Sequence, residues 1–255
     1  MAETHTSIAA KHEIIRIVNG SKLYGTQNPE SDDDAMAVFV EPREYVFSDR
    51  KIETALLHDR HPQAKSSVGE IDGIAHSVRH FIKLALDGNP SILTVLFAPS
   101  EFWLNTTSPG GLLMNNSELF VSMNAAPRFK GYMHAQMLRL KGIKAGHIPN
   151  RPELVEKYGY DVKYAMSVAR LAIQGIEFFQ TGKIESPMNS MHIDFLTGMR
   201  HGSHTYEEAI LNIEELEKHL LLEIEKSKLP EKPEYAKIYQ LSEEIHNMEW
   251  NENLI

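Results

Sequence analysis

The sequence of 255 residues predicts an α+β fold that gives way to an all-helical second part. Two continuous apolar runs of strand length lie near the beginning, and segments with helical periodicity follow almost to the end. At 42% hydrophobic residues, the chain can build a substantial core. We place the boundary in the Gly- and Pro-containing stretch 142–152, which divides the chain into parts 1–145 and 146–255.

Three strands are predicted in the first part. The apolar run 14–18 precedes a turn at Gly20, a pattern typical of a buried strand that ends in a tight turn. Residues 35–40 form a second apolar run, and we expect both strands to be buried on two faces. Residues 68–74 alternate weakly between faces and are interpreted as a third strand.

Helices are predicted wherever apolar side chains recur at helical spacing. In residues 76–86 they do so, and the Asp-Gly-Asn-Pro sequence that follows stops the helix. A helix over residues 162–179 is expected to be closed by Gly182. Further helices are predicted for residues 92–97, 132–140 and 207–224.

The composition excludes several kinds of site. The chain has no cysteine, which excludes disulfides, thiolate nucleophiles and Cys-type zinc or iron–sulfur sites. A metal would therefore be bound by oxygen or imidazole. No run approaches the roughly 18 apolar residues of a membrane span, and the first residues lack the apolar core of a signal peptide, so we expect a cytoplasmic protein.

The net charge of −9 is unevenly distributed along the chain. From residue 207 onward there are 13 acidic and 5 basic residues, which leaves the earlier part close to neutral. The stretch 119–152 has no acidic residue, and it would suit a polyanion such as RNA, although a solvated basic face is an equally good interpretation. Its six basic residues are Arg128, Lys130, Arg139, Lys141, Lys144 and Arg151.

The most informative motif lies in residues 20–40. On a strand, side chains two apart share a face, so Asp32 and Asp34 would stand with their Cα atoms roughly 6 to 7 Å apart while Asp33 points away. Such a carboxylate pair can bridge Mg²⁺ ions, which prefer oxygen ligands and keep substrate phosphates in their shell. Gly20 and Ser21 would present backbone N–H groups and a hydroxyl to phosphate oxygens.

A strand that ends in Gly-Ser, followed by an Asp-x-Asp pair that opens the next strand, resembles the signature of DNA polymerase β-like nucleotidyltransferases. The stretches EIDGIAHSVRHFIKLALDGNPSILTVLF and GYDVKYAMSVARLAIQGIEFFQTGKI are similar to the nucleotidyltransferases found beside RNA ligases in RNA-repair gene clusters. The similarity covers about residues 14–229. It implies an N-terminal mixed β-sheet that carries the metals, as the catalytic domain, and a helical C-terminal domain that closes over the nucleotide.

The same resemblance implies roles outside the motif. The third carboxylate normally comes from a neighbouring strand, which leaves Glu70 and Asp72. We favour Asp72 as a metal ligand and general base on the acceptor hydroxyl, unless either residue is a surface acid. Lys163 and Arg170, seven apart on one helix face, would reach the triphosphate or else form an exposed basic stripe. Lys22, directly after Gly-Ser, would contact phosphate as well.

Two positions depart from the family pattern. The residue between the paired aspartates is usually apolar or aromatic, and here it is Asp33, which leaves the metal pair intact. Where a histidine is expected, four residues after Lys163, this chain has Ser167, which affects part of the nucleotide pocket.

The resemblance implies transfer of a nucleoside monophosphate from an NTP to an acceptor hydroxyl, with Mg²⁺ or Mn²⁺ as cofactor and pyrophosphate as the second product. We favour an RNA end as the acceptor. The alternatives are a small molecule or a protein side chain, because one catalytic core serves many acceptors. A nucleotide-binding regulator without turnover is a further alternative, and the retained aspartates and Gly-Ser turn argue against it.

Overall fold

The computed structural model describes residues 3–29, 31–57, 71–142 and 151–252. In these ranges the strands form one mixed sheet in the order β3-β4-β2-β1-β5. β1 pairs antiparallel with β2 and β5, β3 pairs antiparallel with β4, and β2 and β4 run parallel. The strands are β1 (Glu13–Val18), β2 (Asp33–Phe39), β3 (Thr54–Leu56), β4 (Ile71–Ser77) and β5 (Trp103–Thr106).

Helices surround the sheet and make up most of the chain after it. Short 3₁₀ turns lie beside β5 and before the seventh helix. The helices are α1 (His5–Lys11), α2 (Gly20–Tyr24), α3 (Arg43–Val46), α4 (Val78–Leu86), α5 (Pro90–Leu96), α6 (Ser108–Asn115), α7 (Ala126–Leu140), α8 (Pro152–Tyr158), α9 (Val162–Thr181), α10 (Ser190–Arg200), α11 (Tyr206–Lys226) and α12 (Tyr235–Glu252).

Strand β2 is buried on both faces, which its continuous apolar sequence predicts. Met36 and Val38 belong to the large core that also contains most of the buried helical residues. Ala37 and Phe39 point the other way, into a smaller core built with Ile8 of α1. The alternation follows from the two-residue period of a strand, and it assigns Asp34 to the face that carries the large helical core.

The parallel pairing of β2 and β4 depends on a glycine. Asp34 is aligned with Asp72, and Ala35 with Gly73, in an unbroken register. A Cβ atom on Gly73 would lie 1.9 Å from the carbonyl oxygen of Ala35, so no larger residue fits without separating the strands. The close approach at Gly73 therefore holds Asp72 beside Asp34.

Helix α9 is the central helix of the second part. The Asp161 side chain accepts a hydrogen bond from the backbone N–H of Tyr164 at its start, and Gly182 ends it with a φ of 74°. Phe178 and Phe179 are fully buried and pack against Phe129 of α7. Helices α7, α10 and α11 all contact α9 and hold it in place. The side chains on the remaining face of α9 therefore have a fixed position relative to the rest of the molecule.

Helix α12 returns to the sheet through buried polar contacts. The imidazole of His246 lies 3.3 Å from the carboxylate of Glu41, and Trp250 Nε1 donates to the Glu41 carbonyl at 2.9 Å. His12 Nδ1 lies 3.3 Å from Glu249 Oε1. Since buried charged groups are normally paired, these contacts explain how acidic residues are tolerated beneath the helix.

The predicted fold class, an N-terminal mixed sheet followed by a mostly helical part, is confirmed. The third strand extends to Ser77, and α4 begins only at Val78 because the Ser77 side chain caps it by accepting from the His80 N–H. The first turns of α7, which lie before residue 132, were not predicted, nor were the short strands β3 and β5. In the described ranges no helix is long and apolar enough to span a membrane. The division at residues 145 and 146 stays a prediction.

Candidate active site

Three carboxylates meet where β2 and β4 begin. Asp32 directly precedes β2, Asp34 is its second residue, and Asp72 is the residue of β4 that is aligned with Asp34. Partners in a parallel ladder project to the same face of the sheet. Burial raises the pKa of Asp34, and the nearby charges of Asp32 and Asp72 raise it further. Asp34 is therefore close enough to each of the other two acids to be repelled by it.

The Gly20 backbone lies against the Asp34 carboxylate. Gly20 has a φ of 66°, and a Cβ atom there would lie 2.3 Å from Asp34 Oδ2. The preceding residue, Asn19, donates its backbone N–H to the Asp34 carbonyl oxygen at 2.8 Å. Glycine is therefore required at position 20 for two reasons, its left-handed conformation and the space that the carboxylate occupies.

A cavity of about 180 Å³ separates these acids from the helical part. One wall contains Gly20, Ser21, Asp32 and Asp34, contributed by α2 and the start of β2. The opposite wall is formed by α9 and the end of α10. The cavity is lined by Gly20, Ser21, Tyr24, Thr26, Ser31, Asp32, Asp34, Lys163, Met166, Ser167, Arg170 and Arg200.

Lys163 faces the carboxylates across the cavity. Burial lowers the pKa of its ammonium group, as do the charges of Arg151 and Arg200, whereas Asp32 and Asp34 raise it. In return, the Lys163 charge lowers the pKa of Asp34. A lysine that is partly desolvated and surrounded by other cations is well suited to bind an anion that neutralises several positive charges at once.

The two cavity arginines are held by contacts with their surroundings. The Arg170 guanidinium lies 4.0 Å from the centre of the Tyr24 ring and donates to Gln174 Oε1 at 2.5 Å. Arg200 donates to the carbonyl oxygen of Thr26 at 3.1 Å. Each contact uses part of the guanidinium, and the remaining N–H groups are available for the oxygens of a ligand, since arginine carries five donors.

The structure brings most of the predicted site residues together and separates one from them. Gly20, Ser21, Asp32, Asp34, Lys163 and Arg170 line the same cavity, and Asp72 lies beside Asp34. Lys22 is placed differently, because its ammonium group pairs with Asp33 on the other face of β2 and does not line the cavity. Glu70 lies outside the described residues.

Five further cavity residues were not predicted: Tyr24, Thr26, Ser31, Met166 and Arg200. Thr26 is 3% exposed, and its hydroxyl has no hydrogen-bond partner in the described part of the chain. Tyr24 and Arg170 are joined only by the docking of α2 against α9, and Arg200 meets Thr26 across 174 positions of sequence. No local sequence pattern signals such contacts.

The stretch 119–152, free of acids in sequence, is partly neutralised in the structure. Arg128 pairs with Asp87 at 2.8 Å and Lys141 with Glu214 at 2.6 Å. Arg151 pairs with Asp161 at 3.2 Å. Lys144 lies outside the described residues. The acidic partners lie outside the stretch in sequence, so its lack of acids does not produce an unopposed basic surface.

The acids at and beside the cavity have the donor chemistry of a magnesium site. Asp32, Asp34 and Asp72 supply only oxygen atoms, the ligands that Mg²⁺ prefers, and a divalent cation would relieve the repulsion that raises the pKa of Asp34. As placed, no group of three or more His, Asp or Glu side chains in the described ranges is arranged to hold a metal ion. The support for a metal is thus the donor set and its electrostatics.

Comparison with known proteins assigns the family. The model of RlaP, the RNA repair pathway DNA polymerase beta family, matches residues 3–244. The chain belongs to this family. Membership implies a polymerase β-like nucleotidyltransferase of RNA repair, in agreement with the resemblance described above. Family members generally use a divalent metal and an NTP.

A relative occurs in Enterobacteria phage T4, a 38.9 kDa protein encoded in the nrdC-mobD intergenic region. It is 28% identical over 137 residues, which are 53% of this chain and 40% of the phage protein. The match thus covers less than half of the phage protein's length.

Proposed function

We propose that this RlaP family member transfers a nucleoside monophosphate from an NTP to the hydroxyl group of an RNA end and releases pyrophosphate. One observation carries the proposal. The carboxylates of Asp32, Asp34 and Asp72 occupy one face at the start of two neighbouring strands, opposite Lys163 and the two cavity arginines. Acids that can hold metals therefore face cations that can hold phosphates, as a triphosphate-metal complex requires.

The acidic and the basic residues of the site would have different roles. Asp32, Asp34 and Asp72 would hold Mg²⁺ or Mn²⁺, which supplies charge stabilisation for the phosphates when bound. Lys163, Arg170 and Arg200 would bind phosphate oxygens from the opposite wall, and Gly20 and Ser21 would approach from the turn. Their fixed positions would orient the α-phosphate for in-line attack, because correct placement is the main contribution that proteins make to phosphoryl transfer.

Asp72 is the proposed general base. Its carboxylate would accept the proton of the acceptor hydroxyl as the new bond from the hydroxyl oxygen to the α-phosphorus forms. The bond between the α-phosphorus and the bridging oxygen breaks at the same time, and pyrophosphate leaves with the electron pair. We prefer Asp72 to Asp34 for this role because Asp72 comes from the neighbouring strand β4, whereas the Asp34 carboxylate lies against the Gly20 backbone.

The acceptor is tested by product analysis. The protein is incubated with each labelled NTP, Mg²⁺ and either RNA with a free 3′ hydroxyl, a metabolite mixture, or the protein alone. Pyrophosphate release and the labelled product are then measured. Label in RNA supports the proposal, whereas label in a metabolite or in the protein itself would assign the activity to one of those acceptors. NTP binding without pyrophosphate release from any mixture would indicate a regulator.

The chain provides a matched control for the site. Asp34→Asn should reduce transfer by orders of magnitude, because a metal ligand loses its charge. Asp33→Asn removes the same charge one residue away, but from the opposite face of β2, where Asp33 pairs with Lys22. We expect the Asp33 variant to stay within a few-fold of the parent. Equal loss in both variants would refute the assignment of one face as catalytic.

A further inference from the structure

Two adjoining cavities lie along α4, away from the candidate active site. The first, of about 270 Å³, lies between α4 and the segment that leads into β3. The second, of about 430 Å³, lies between α4 and α12. Arg79 and Lys83 line both cavities, so the two adjoin along α4. We call the pair of adjoining cavities the α4 groove.

The first half of the α4 groove is basic. It is lined by Arg50, Lys51, Arg79 and Lys83, and none of these four forms an ion pair with another described residue. The two acids that line it have other neighbours. Glu41 is 4% exposed and contacts His246, and the Glu53 carboxylate lies 3.9 Å from His80 Nδ1. Within the described ranges, no carboxylate therefore neutralises these four cations directly.

The second half of the α4 groove presents aromatic rings. Tyr235 and Tyr239 are 37% and 60% exposed, and their ring centroids are 6.2 Å apart. The Asn124 side chain donates to the Tyr235 hydroxyl at 3.0 Å and to the Leu86 carbonyl at 3.3 Å, which holds the first ring in place. Two exposed tyrosines on successive turns of one helix offer flat apolar surface beside the cations.

We propose that the α4 groove binds a single-stranded polynucleotide, with its phosphates on the four cations and its bases stacked on the two tyrosines. A basic groove that follows the backbone, combined with aromatic rings that accept any base, is the general physical arrangement of single-strand binding. An acidic peptide would pair with the cations, but it has no bases to stack on the two adjacent rings. This inference deepens the proposed function, because it gives the RNA acceptor a second point of attachment.

The position of the groove fits an acceptor that also reaches the active site. Strand β4 runs from the carboxylates at Asp72 to Ser77, the capping residue of α4, a distance of about 17 Å at 3.3 Å per residue. That length corresponds to roughly five nucleotides at a helical rise of 3.4 Å per nucleotide. An RNA strand of 20 nucleotides is longer than this separation, so its length would allow it to contact both sites, whereas a mononucleotide is too short.

The test measures binding without catalysis. Fluorescence anisotropy is recorded for the full chain with labelled 20-nucleotide single-stranded RNA and DNA, in the absence of NTP and metal, at several salt concentrations. The variants are Arg79→Ala with Lys83→Ala, and Tyr239→Ala alone. The matched control is Lys218→Ala with Lys226→Ala, which removes two exposed cations from α11, outside the groove.

We expect the Arg79 and Lys83 double variant to weaken binding at least tenfold and to reduce the salt slope by about 1.4, since each phosphate contributes about 0.7 for a single strand. Tyr239→Ala should weaken binding about five- to hundredfold and leave the salt slope nearly unchanged. The α11 control should bind as the parent does. Stronger binding of RNA than of DNA would add a preference for the 2′ hydroxyl, and equal binding would indicate recognition of the single strand itself.

Three results would overturn the inference: no binding to either single strand at low salt, equal weakening in the α11 control, or loss of binding only when Lys130 and Arg139 of α7 are replaced by alanine. Circular dichroism of each variant distinguishes lost binding from unfolding. Because the assay contains no NTP, it can detect RNA binding by the α4 groove even if the protein does not transfer nucleotides. Conversely, transfer to RNA could be observed even if RNA does not bind in this groove.

Discussion

Replacing Gly20 by alanine should disable the site through one added methyl group. The new Cβ atom would lie 2.3 Å from Asp34 Oδ2, which is about 1 Å short of the 3.4 Å at which ordinary contact begins. Either the carboxylate or the turn must move by that amount. Misplacing a reacting group by about 1 Å can reduce a rate about a hundredfold, so we expect a loss of transfer of this order or greater.

The glycine at position 142 supplies the control for backbone strain. Gly142 has a φ of 68°, almost the same as the 66° of Gly20, but among the residues that the structure describes nothing lies within 4 Å of the Cβ atom it would gain. Alanine in the left-handed region costs about 1–2 kcal/mol at either position, which corresponds to a fall in Tm of roughly 2–8 °C for a chain of this size. Gly142→Ala should show that fall, and Gly20→Ala a fall at least as large because of the added contact with Asp34.

Steady-state pyrophosphate release and thermal unfolding distinguish the two variants. Gly142→Ala should keep nearly full activity, whereas Gly20→Ala should lose it while remaining folded at the assay temperature. Full activity in folded Gly20→Ala would show that the position of the Asp34 carboxylate does not matter for transfer. Equal losses of activity in both variants would assign the effect to backbone strain alone.

Three further outcomes are expected. Asp72→Asn should lower kcat at least a hundredfold and change the Kd for NTP only a few-fold, because a general base acts on the acceptor hydroxyl. If rate and binding assays instead showed weaker NTP binding with kcat nearly unchanged, Asp72 would not be the general base. Lys163→Ala should raise the KM for NTP about tenfold or more, and an unchanged KM would place the triphosphate elsewhere. Burial, with a contribution from His80, lowers the pKa of His76 from 6.5 to about 4. Between these pH values the unfolded chain binds more protons than the folded chain does. The free energy of unfolding should therefore fall as the pH is lowered from 6.5 towards 4. Urea unfolding should show roughly 2 kcal/mol less stability at pH 5 than at pH 7 from this group, and His76→Gln should lose that component; an unchanged pH dependence in His76→Gln would contradict it.

The sequence was informative where a local period decides geometry. The two-residue period of a strand placed Asp32 and Asp34 together and turned Asp33 away, and the structure adds that Asp33 pairs with Lys22. The helical period placed Lys163 and Arg170 on one face of α9, and both line the cavity. These relations hold within single elements, so they do not depend on how the elements pack.

The sequence was uninformative where distant segments meet. Arg200 reaches the site only because α10 docks beside α2, and its bond to Thr26 has no local signature. The basic stretch 119–152 shows the opposite case, in which the sequence suggested a feature that the structure does not have. Asp87 and Glu214, far away in sequence, neutralise Arg128 and Lys141. Charge counted along a chain describes a surface only when the elements beside it are also known.

The unbroken parallel register of β2 and β4 also restricts which insertions the chain can accept. The distance between the Asp34 and Asp72 carboxylates is set by main-chain pairing, with Gly73 fitted against Ala35. One residue inserted between Gly73 and Ser77, with the later pairs kept, would turn Asp72 to the opposite face of the sheet. Two inserted residues would restore its face but move it one full strand repeat, about 6.6 Å, past Asp34. Length variation among relatives should therefore be absent from this strand and should accumulate before it.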